Sequence, residues 1–352
     1  MKIPLFTLAS LLLLISSCCR SPLSPAHSEK NSVYYWKTVL DLDSTSLKFI
    51  DNHNIGRMYL RMFDVVEDLG GTPESMTAPN ASVKVNWKEY YLFQDSLKDM
   101  EVVPVVYITL DALKRMRGYE GVLANNIVSR IKNMCSYNGL PNVAELQLDC
   151  DWTVSTETSF FKLCDSVKMS ISDMGLPWRL SSTIRLHQLA REAPPVDNGV
   201  LMVYNTGSFD NPDAVNSILD VEDVKPYLKR LPAYPLHLDV AYPTYSWQLL
   251  FHKRKFCGLL NGLELNDSTT FRRIGQTQFI ALKDIPYRET IIRKGDIIRH
   301  EISSSEEILK VKAMIETKLS GKPHSNILYH LDTDNLSNYT DNEINNMLST
   351  DC

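Results

Sequence analysis

The chain alternates between short apolar runs and stretches with helical periodicity, and this alternation constrains its fold more than any other feature. Apolar, β-branched or aromatic runs separated by helical patterns are typical of repeated βα units, which form a parallel sheet. Eight such units in about 300 residues predict an α/β fold, a (β/α)₈ TIM-type barrel. An open doubly wound sheet is the alternative, but no glycine-rich phosphate-binding pattern follows any run. The predicted strands cover residues 33–37, 56–63, 102–109, 145–149, 179–184, 200–204, 236–240 and 326–330.

Residues 249–301 do not fit a single βα unit. They contain β-rich fragments at 277–282 and 289–299, and the second of these turns at Lys294-Gly295-Asp296. We therefore predict a mostly antiparallel subdomain inserted between strands seven and eight of the barrel. Helices are predicted at residues 122–137, 159–174, 220–230, 303–319 and 341–348.

The first seventeen residues resemble a bacterial lipoprotein signal peptide. Lys2 precedes an apolar run over residues 5–15 that is too short to span a bilayer, and small residues precede Cys18. In such a signal the cysteine becomes the lipidated first residue of the mature protein, and we expect Cys18 to carry a lipid such as palmitate. A plain secretory signal with an incidental cysteine is the alternative.

Three segments follow from this interpretation: a signal peptide over 1–17, a Ser- and Pro-rich tether over 18–32, and the barrel over 33–352. We expect a protein anchored by lipid in the outer membrane of a Gram-negative cell envelope. The periplasmic face is favoured over the cell surface, since no acidic cluster follows Cys18.

The charge and the cysteines exclude some classes of partner. A net charge of −5 argues against nucleic acid. The cysteines beyond the anchor show no metal-binding spacing, so we predict neither a metal nor another cofactor, and their disulfide state stays open. They are Cys135, Cys150, Cys164, Cys257 and Cys352.

The fourth predicted strand ends in two carboxylates. Residues 146–153 read Leu-Gln-Leu-Asp-Cys-Asp-Trp-Thr, which places Asp149 and Asp151 on one face of the strand. Carboxylates are costly to bury at the end of a central strand, so they indicate a functional site, with a structural ion-pair network as the alternative. Cys150 alternates with them and is expected to point towards the packing helices.

Polar and aromatic residues lie near the predicted ends of most other strands. Because active sites of (β/α)₈ barrels lie at the carboxyl ends of the strands, we expect these side chains to meet. Aromatic rings beside hydrogen-bonding groups suit a sugar, whose faces stack while its hydroxyls need polar partners. The candidate glycan-binding residues are Trp36, Arg61, Trp152, Arg185, Tyr204, Asn205, Asp239, Tyr242 and Trp247.

Residues 146–153 resemble the strand-four signature of family 18 glycoside hydrolases, D-G-x-D-x-D-W-E. Asp149, Asp151 and Trp152 match it, whereas Leu146, Gln147 and Thr153 do not. Residues 202–205, Met-Val-Tyr-Asn, resemble the strand-six M-x-Y-D of that family. The family also carries an insertion after strand seven, where one is predicted here.

The resemblance implies roles for the matching residues. Asp151 would steady the acetamido group of the substrate, Asp149 would be its buried partner, and Tyr204 would donate a hydrogen bond. The family's catalytic acid, however, is replaced by Thr153, and loss of a general acid typically costs about 10²–10⁴-fold in rate.

Three functions remain open from the sequence. The first is a glycan-binding envelope protein without the standard catalytic acid. The second is an active glycosidase that takes its acid from another strand, with Asp64 and Glu67 as the first candidates beside Asp151 and Asp149. The third is a structural envelope lipoprotein with a vestigial pocket.

Overall fold

The computed structural model describes residues 29–75, 84, 95, 97–140 and 142–350. The predicted signal peptide, Cys18, most of the tether and Cys352 lie outside the described residues. Among the residues that are described, no helix is both long and apolar enough to cross a membrane.

Eight parallel strands close into a barrel, as predicted. Their order around the barrel is β1-β15-β7-β6-β5-β4-β3-β2, so that neighbours in the chain are mostly neighbours in space. Each lies within a few residues of its predicted position. They are β1 Asn31–Tyr35, β2 Ile55–Val65, β3 Glu101–Ile108, β4 Glu145–Asp149, β5 Arg179–Arg185, β6 Asn198–Met202, β7 Leu238–Pro243 and β15 Asn326–Tyr329.

Alternate residues of each strand point into the barrel or out towards the helices. In β7, Ala241 belongs to the interior cluster, whereas Val240 and Tyr242 belong to the larger core between strands and helices. The middle of the interior is aromatic and aliphatic, with Tyr34 stacked on Tyr59 at a centroid distance of 4.7 Å. The barrel is therefore a packed core, and its chemistry is confined to its two ends.

Helices cover the barrel where the sequence predicts them, except at 220–230. That stretch forms a single helical turn, Val221–Val224, followed by a 3₁₀ turn, because Pro226 cannot donate the backbone bond that a continuous helix needs. The α-helices are α1 Ser44–Asn52, α2 Leu110–Arg115, α3 Glu120–Asn138, α4 Glu157–Asp173, α5 Val221–Val224, α6 Ser305–Leu319, α7 Thr333–Leu336 and α8 Asp341–Leu348.

The core between strands and helices contains Cys150, as the alternation in β4 predicts. Cys135 and Cys164 are also buried free thiols, and burial raises the pKa of Cys135 to about 12, which keeps it protonated and unreactive. Cys257 is a free and exposed thiol.

The predicted antiparallel subdomain is present between β7 and β15. A five-stranded sheet has the order β10-β11-β14-β8-β9, and β12 pairs with β13 in a separate hairpin. Gly295 adopts a φ of 92° in the predicted turn before β14, a conformation that favours glycine. The strands are β8 Ser246–His252, β9 Lys255–Leu260, β10 Phe271–Arg273, β11 Gln278–Ala281, β12 Ile285–Tyr287, β13 Thr290–Ile292 and β14 Ile297–Ile302.

Candidate functional site

A cavity of about 130 Å³ opens at the carboxyl ends of β4, β5 and β6. Four of the candidate residues that the sequence indicates line it together. Its lining residues are Asp151, Arg185, Leu186, His187, Met202, Tyr204, Asn205, Thr206 and Tyr227.

Arg185, which lines this cavity, forms an ion pair with the buried Asp149 behind it. Asp149 is 2% exposed, and its Oδ1 accepts hydrogen bonds from Thr183 Oγ1 at 2.7 Å and from Arg185 Nη2 at 3.0 Å. Burial disfavours the charged form of Arg185, but the carboxylate of Asp149 outweighs it, and the pKa of Arg185 lies above its ordinary value. The pair supplies a fixed guanidinium beside Tyr204, whose ring lies 5.8 Å from Arg185 Cζ.

Asp151 lies on the rim of the cavity rather than inside it. Its side chain is 55% exposed, and its Oδ1 is 3.6 Å from Nε2 of His187. His187 is itself half-exposed. Both groups are therefore free to meet a ligand that enters from solvent.

Thr153 turns away from the cavity into the start of α4. Its hydroxyl oxygen lies 3.0 Å from Ser155 Oγ, and its backbone N–H donates to Thr156 Oγ1 at 2.9 Å. Gln188 fixes the preceding backbone, because its amide donates to the carbonyl of Trp152 at 2.9 Å. Thr153 thus stabilises the turn that precedes α4 and does not face the cavity.

An aromatic cluster forms the floor of the barrel mouth beside the cavity. Tyr329 lies at its centre and stacks on Tyr204 with a centroid distance of 4.5 Å and an interplanar angle of 27°. Trp36 and Tyr245 approach Tyr329 at 5.7 and 5.9 Å. Burial raises the pKa of Tyr204 and Tyr329, so both hydroxyls stay protonated.

The sequence did not single out Tyr329, although two signals were available. It lies one residue before the end of the eighth predicted strand, and it lies two residues after the interior Ile327, so it points into the mouth. Tyr34 was also missed as a support for the floor. Its hydroxyl donates to Gln147 Oε1 at 2.6 Å, which ties the aromatic cluster to β4.

Arg61 and Asp64 form a second ion pair at the mouth. Arg61 donates through Nε and Nη2 to the two carboxylate oxygens of Asp64 at 2.9 and 2.5 Å. The Arg61 guanidinium also lies 5.3 Å from the centre of the Trp36 ring. Asp64 is therefore held by a bidentate partner, whereas Glu67 lies exposed in the loop that follows β2.

The wall of the mouth next to the antiparallel subdomain is formed by Tyr245, Asn205 and Trp247. Tyr245 donates from its hydroxyl to Asn205 Oδ1 at 2.7 Å, and its ring meets that of Trp247 edge-on at 5.6 Å. Asn205 has a φ of 53°, which asparagine tolerates better than most residues.

Three candidate residues do not reach the mouth, where the sequence predicted that they would meet the others. Asp239 points into the opposite end of the barrel, where it accepts from the backbone of Ser325 at 2.7 Å and lies 3.7 Å from Arg57. Tyr242 is fully buried on the outer side of β7. Trp152 is fully buried against Phe160.

Asp332 and Asp334 follow the last barrel strand, and Asp332 has a structural role. It accepts from the backbone of Asn335 at the start of α7 and pairs with Lys37 at 3.1 Å. Within the part of the chain that the structure describes, no group of three or more His, Cys, Asp or Glu side chains could hold a metal ion.

The sequence matches no family model and no curated protein. The fold, in contrast, matches solved structures at low identity. A chitinase from Chromobacterium violaceum is 10% identical with a TM-score of 0.53, and the match covers 87% of this chain and 95% of that one. A family 18 chitinase from Cycas revoluta, solved in complex with (GlcNAc)₃, is 11% identical with a TM-score of 0.52 and coverages of 90% and 98%.

A third match is a protein described as a pseudo-chitinase. Human YKL-39, described as a pseudo-chitinase with retained chitooligosaccharide binding, is 11% identical with a TM-score of 0.51 and coverages of 91% and 98%. The chain thus has the barrel fold shared by family 18 chitinases and chitinase-like proteins, as the motif in β4 and the antiparallel insertion implied.

Proposed function

We propose that this protein binds a glycan at the mouth of its barrel and does not hydrolyse it. The observation that carries the proposal is the state of the four candidate carboxylates. Asp149 and Asp64 are each paired with an arginine, while Asp151 and Glu67 are exposed to solvent. A glycosidase needs a carboxyl group within the site that can give its proton to the leaving oxygen, whereas here the two buried carboxylates are engaged by arginine and the other two face solvent.

The mouth nevertheless retains what binding requires. Tyr204, Tyr329 and Trp36 offer ring faces, and Arg185, Asp151 and Asn205 offer donors and acceptors at the rim. The cavity of about 130 Å³ is smaller than the roughly 300–1,000 Å³ of typical ligand sites. It therefore suits one end or one substituent of an oligosaccharide whose other rings lie over the aromatic cluster.

The proposed ligand class is an oligosaccharide of N-acetylglucosamine. The Cycas revoluta chitinase was solved with (GlcNAc)₃, and YKL-39 is described as binding chitooligosaccharides. Both are only 11% identical to this chain, so they support the fold and suggest the ligand class to be tested.

Binding without hydrolysis is the expected result for the mature protein. Isothermal titration with chitotriose should give a saturable signal, and an array of other glycans should rank ligand classes. Asp151→Ala should weaken binding by about tenfold, because a charged hydrogen-bond partner at the rim is lost. Prolonged incubation should leave chitotriose intact by mass spectrometry. Cleavage above that of a boiled control would contradict the proposal and favour an active glycosidase.

We further propose that the barrel is held in the bacterial cell envelope by a lipid on Cys18. The support is the sequence of residues 1–32, with its apolar run, its small residues before the cysteine and its Ser- and Pro-rich tether. A covalent lipid anchors a protein without a spanning helix. The outer membrane and its periplasmic face remain the proposed location.

Replacement of Cys18 tests the anchor directly. Cys18→Ala should move the protein from the detergent phase to the aqueous phase of a Triton X-114 extraction and abolish labelling with an alkyne fatty acid. Cys19→Ala is the matched control, since it removes the neighbouring thiol and leaves the proposed lipidation position intact. An unlabelled wild-type protein would rule out the anchor.

A further inference from the structure

A buried carboxylate of the antiparallel subdomain, Glu301, contacts both the loop after β6 and the wall beside the cavity. Glu301 of β14 is fully buried, and its Oε2 accepts three hydrogen bonds: from the backbone N–H of Ser217 at 2.8 Å, from Ser217 Oγ at 2.7 Å and from Trp247 Nε1 at 2.7 Å. Its other oxygen accepts from Arg299 Nε. Buried carboxylates are retained only where such donors compensate the loss of hydration.

The donors lie on two different parts of the wall. Ser217 belongs to the loop that follows β6, and this loop doubles back so that Gly207 donates to the carbonyl of Ser217 at 3.3 Å and Thr206 to that of Ile218 at 3.4 Å. Thr206 and its neighbour Asn205 line the cavity. Glu301 therefore holds the base of the loop whose start forms the cavity wall.

The second donor, Trp247, connects Glu301 to Asn205 through Tyr245. Trp247 meets Tyr245 edge-on at 5.6 Å, and Tyr245 donates to Asn205 Oδ1 at 2.7 Å. The two routes from Glu301 thus converge on Asn205.

Arg299 fastens the outer half of the same loop. It is fully buried and donates to the backbone carbonyls of Asn211 and, at 3.0 Å, Phe209. Its own charge is compensated by Glu301. Because the loop must hold both carbonyls towards Arg299 to accept these bonds, the ion pair orders the loop as well as the sheet.

We infer that Glu301 is a positioning residue for the glycan site, which it shapes from the antiparallel subdomain by fixing the loop after β6 and the Trp247–Tyr245–Asn205 wall. This inference rests on the proposed glycan binding. It assigns the subdomain a part in specificity, because the wall at Asn205 moves if the sheet releases it.

Asp296, which directly precedes β14, provides a matched control. It is buried at the other end of the sheet, where it accepts from His252 Nδ1 at 2.6 Å and from the backbone of Arg293 at 2.8 Å. Asp296→Asn removes a buried carboxylate comparable to that lost in Glu301→Gln, but it touches neither the loop nor Trp247.

The test compares two readouts across the variants. Glu301→Gln should weaken chitotriose binding by about tenfold and speed hydrogen exchange of the backbone amides in residues 203–220, because charged acceptors form the stronger hydrogen bonds. Ser217→Ala, which removes one donor and tests the inference if Glu301→Gln fails to fold, should shift both readouts in the same direction by less. Asp296→Asn should leave both unchanged while lowering the melting temperature.

The outcomes separate the inference from the proposed function. Wild-type exchange and affinity in Glu301→Gln would overturn the inference, as would equal changes in Asp296→Asn. If no glycan binds the wild-type protein, the proposed function fails, and the exchange of residues 203–220 still decides whether Glu301 positions the loop.

Discussion

Arg185→Met is expected to destabilise the protein by about 3–5 kcal/mol and to abolish glycan binding, because it leaves Asp149 as an uncompensated buried charge. Asp149 is 2% exposed and has only Thr183 Oγ1 as a further side-chain donor in the described structure. Methionine fills much of the same volume, so the loss reports charge more than packing. Urea denaturation monitored by circular dichroism gives the free energy of unfolding, and titration calorimetry gives the affinity.

The double variant Arg185→Met, Asp149→Asn separates the two effects. Removal of both charges should restore most of the stability, since a buried ion pair contributes little more than a neutral pair of similar shape. Binding should not return, because the guanidinium at the cavity wall is still missing. A single variant as stable as the wild type would show that solvent compensates Asp149.

Tyr329→Ala is expected to weaken glycan binding by about 30-fold or more, the size typical of a central aromatic in an interface, and to cost about 3 kcal/mol of stability. Tyr329 lies at the centre of the aromatic cluster: its ring centroid lies within 6 Å of those of Tyr34, Trp36, Tyr204 and Tyr245. Its removal leaves a gap in the middle of the cluster.

Tyr242→Ala is the matched control, because Tyr242 is a buried tyrosine on the outer side of the adjacent strand β7. It should lower the melting temperature at least as much while leaving the affinity of the folded protein unchanged. Tyr329→Phe keeps the ring and should retain most of the binding. Equal losses of affinity in Tyr329→Ala and Tyr242→Ala would mean that the aromatic cluster is not the binding surface.

Local sequence patterns predicted the elements well because each depends on neighbours a few residues apart. The apolar runs and helical spacing placed all eight barrel strands, the subdomain and four of the five helices that they predicted. The error at 220–230 came from an apolar spacing that Pro226 interrupts. The alternation within β4 correctly separated Asp149 from Cys150.

Candidate residues were misplaced where the prediction required the height of a residue along the barrel axis, which decides whether its side chain reaches the mouth. Asp239 has the right parity to point inward, yet it lies near the start of β7 and so at the wrong end. Trp152 follows the end of β4, where the strand alternation no longer applies, and packs under α4. The stagger of strands around a barrel comes from pairing between distant segments, which no local pattern records.

The residue patterns predict a barrel with an antiparallel insertion, two carboxylates at the end of β4, and a threonine at the position where family 18 glycoside hydrolases have their catalytic acid. Which polar side chains meet is seen in the folded chain alone. There Asp149 pairs with Arg185 and Asp64 with Arg61, the rings of Tyr204, Tyr329 and Trp36 form one floor, and Glu301 is linked to the wall at Asn205. Except for Arg61 and Asp64, these partners are far apart in the chain and come together because the barrel closes, so the exposure of each carboxylate depends on contacts that no local pattern records.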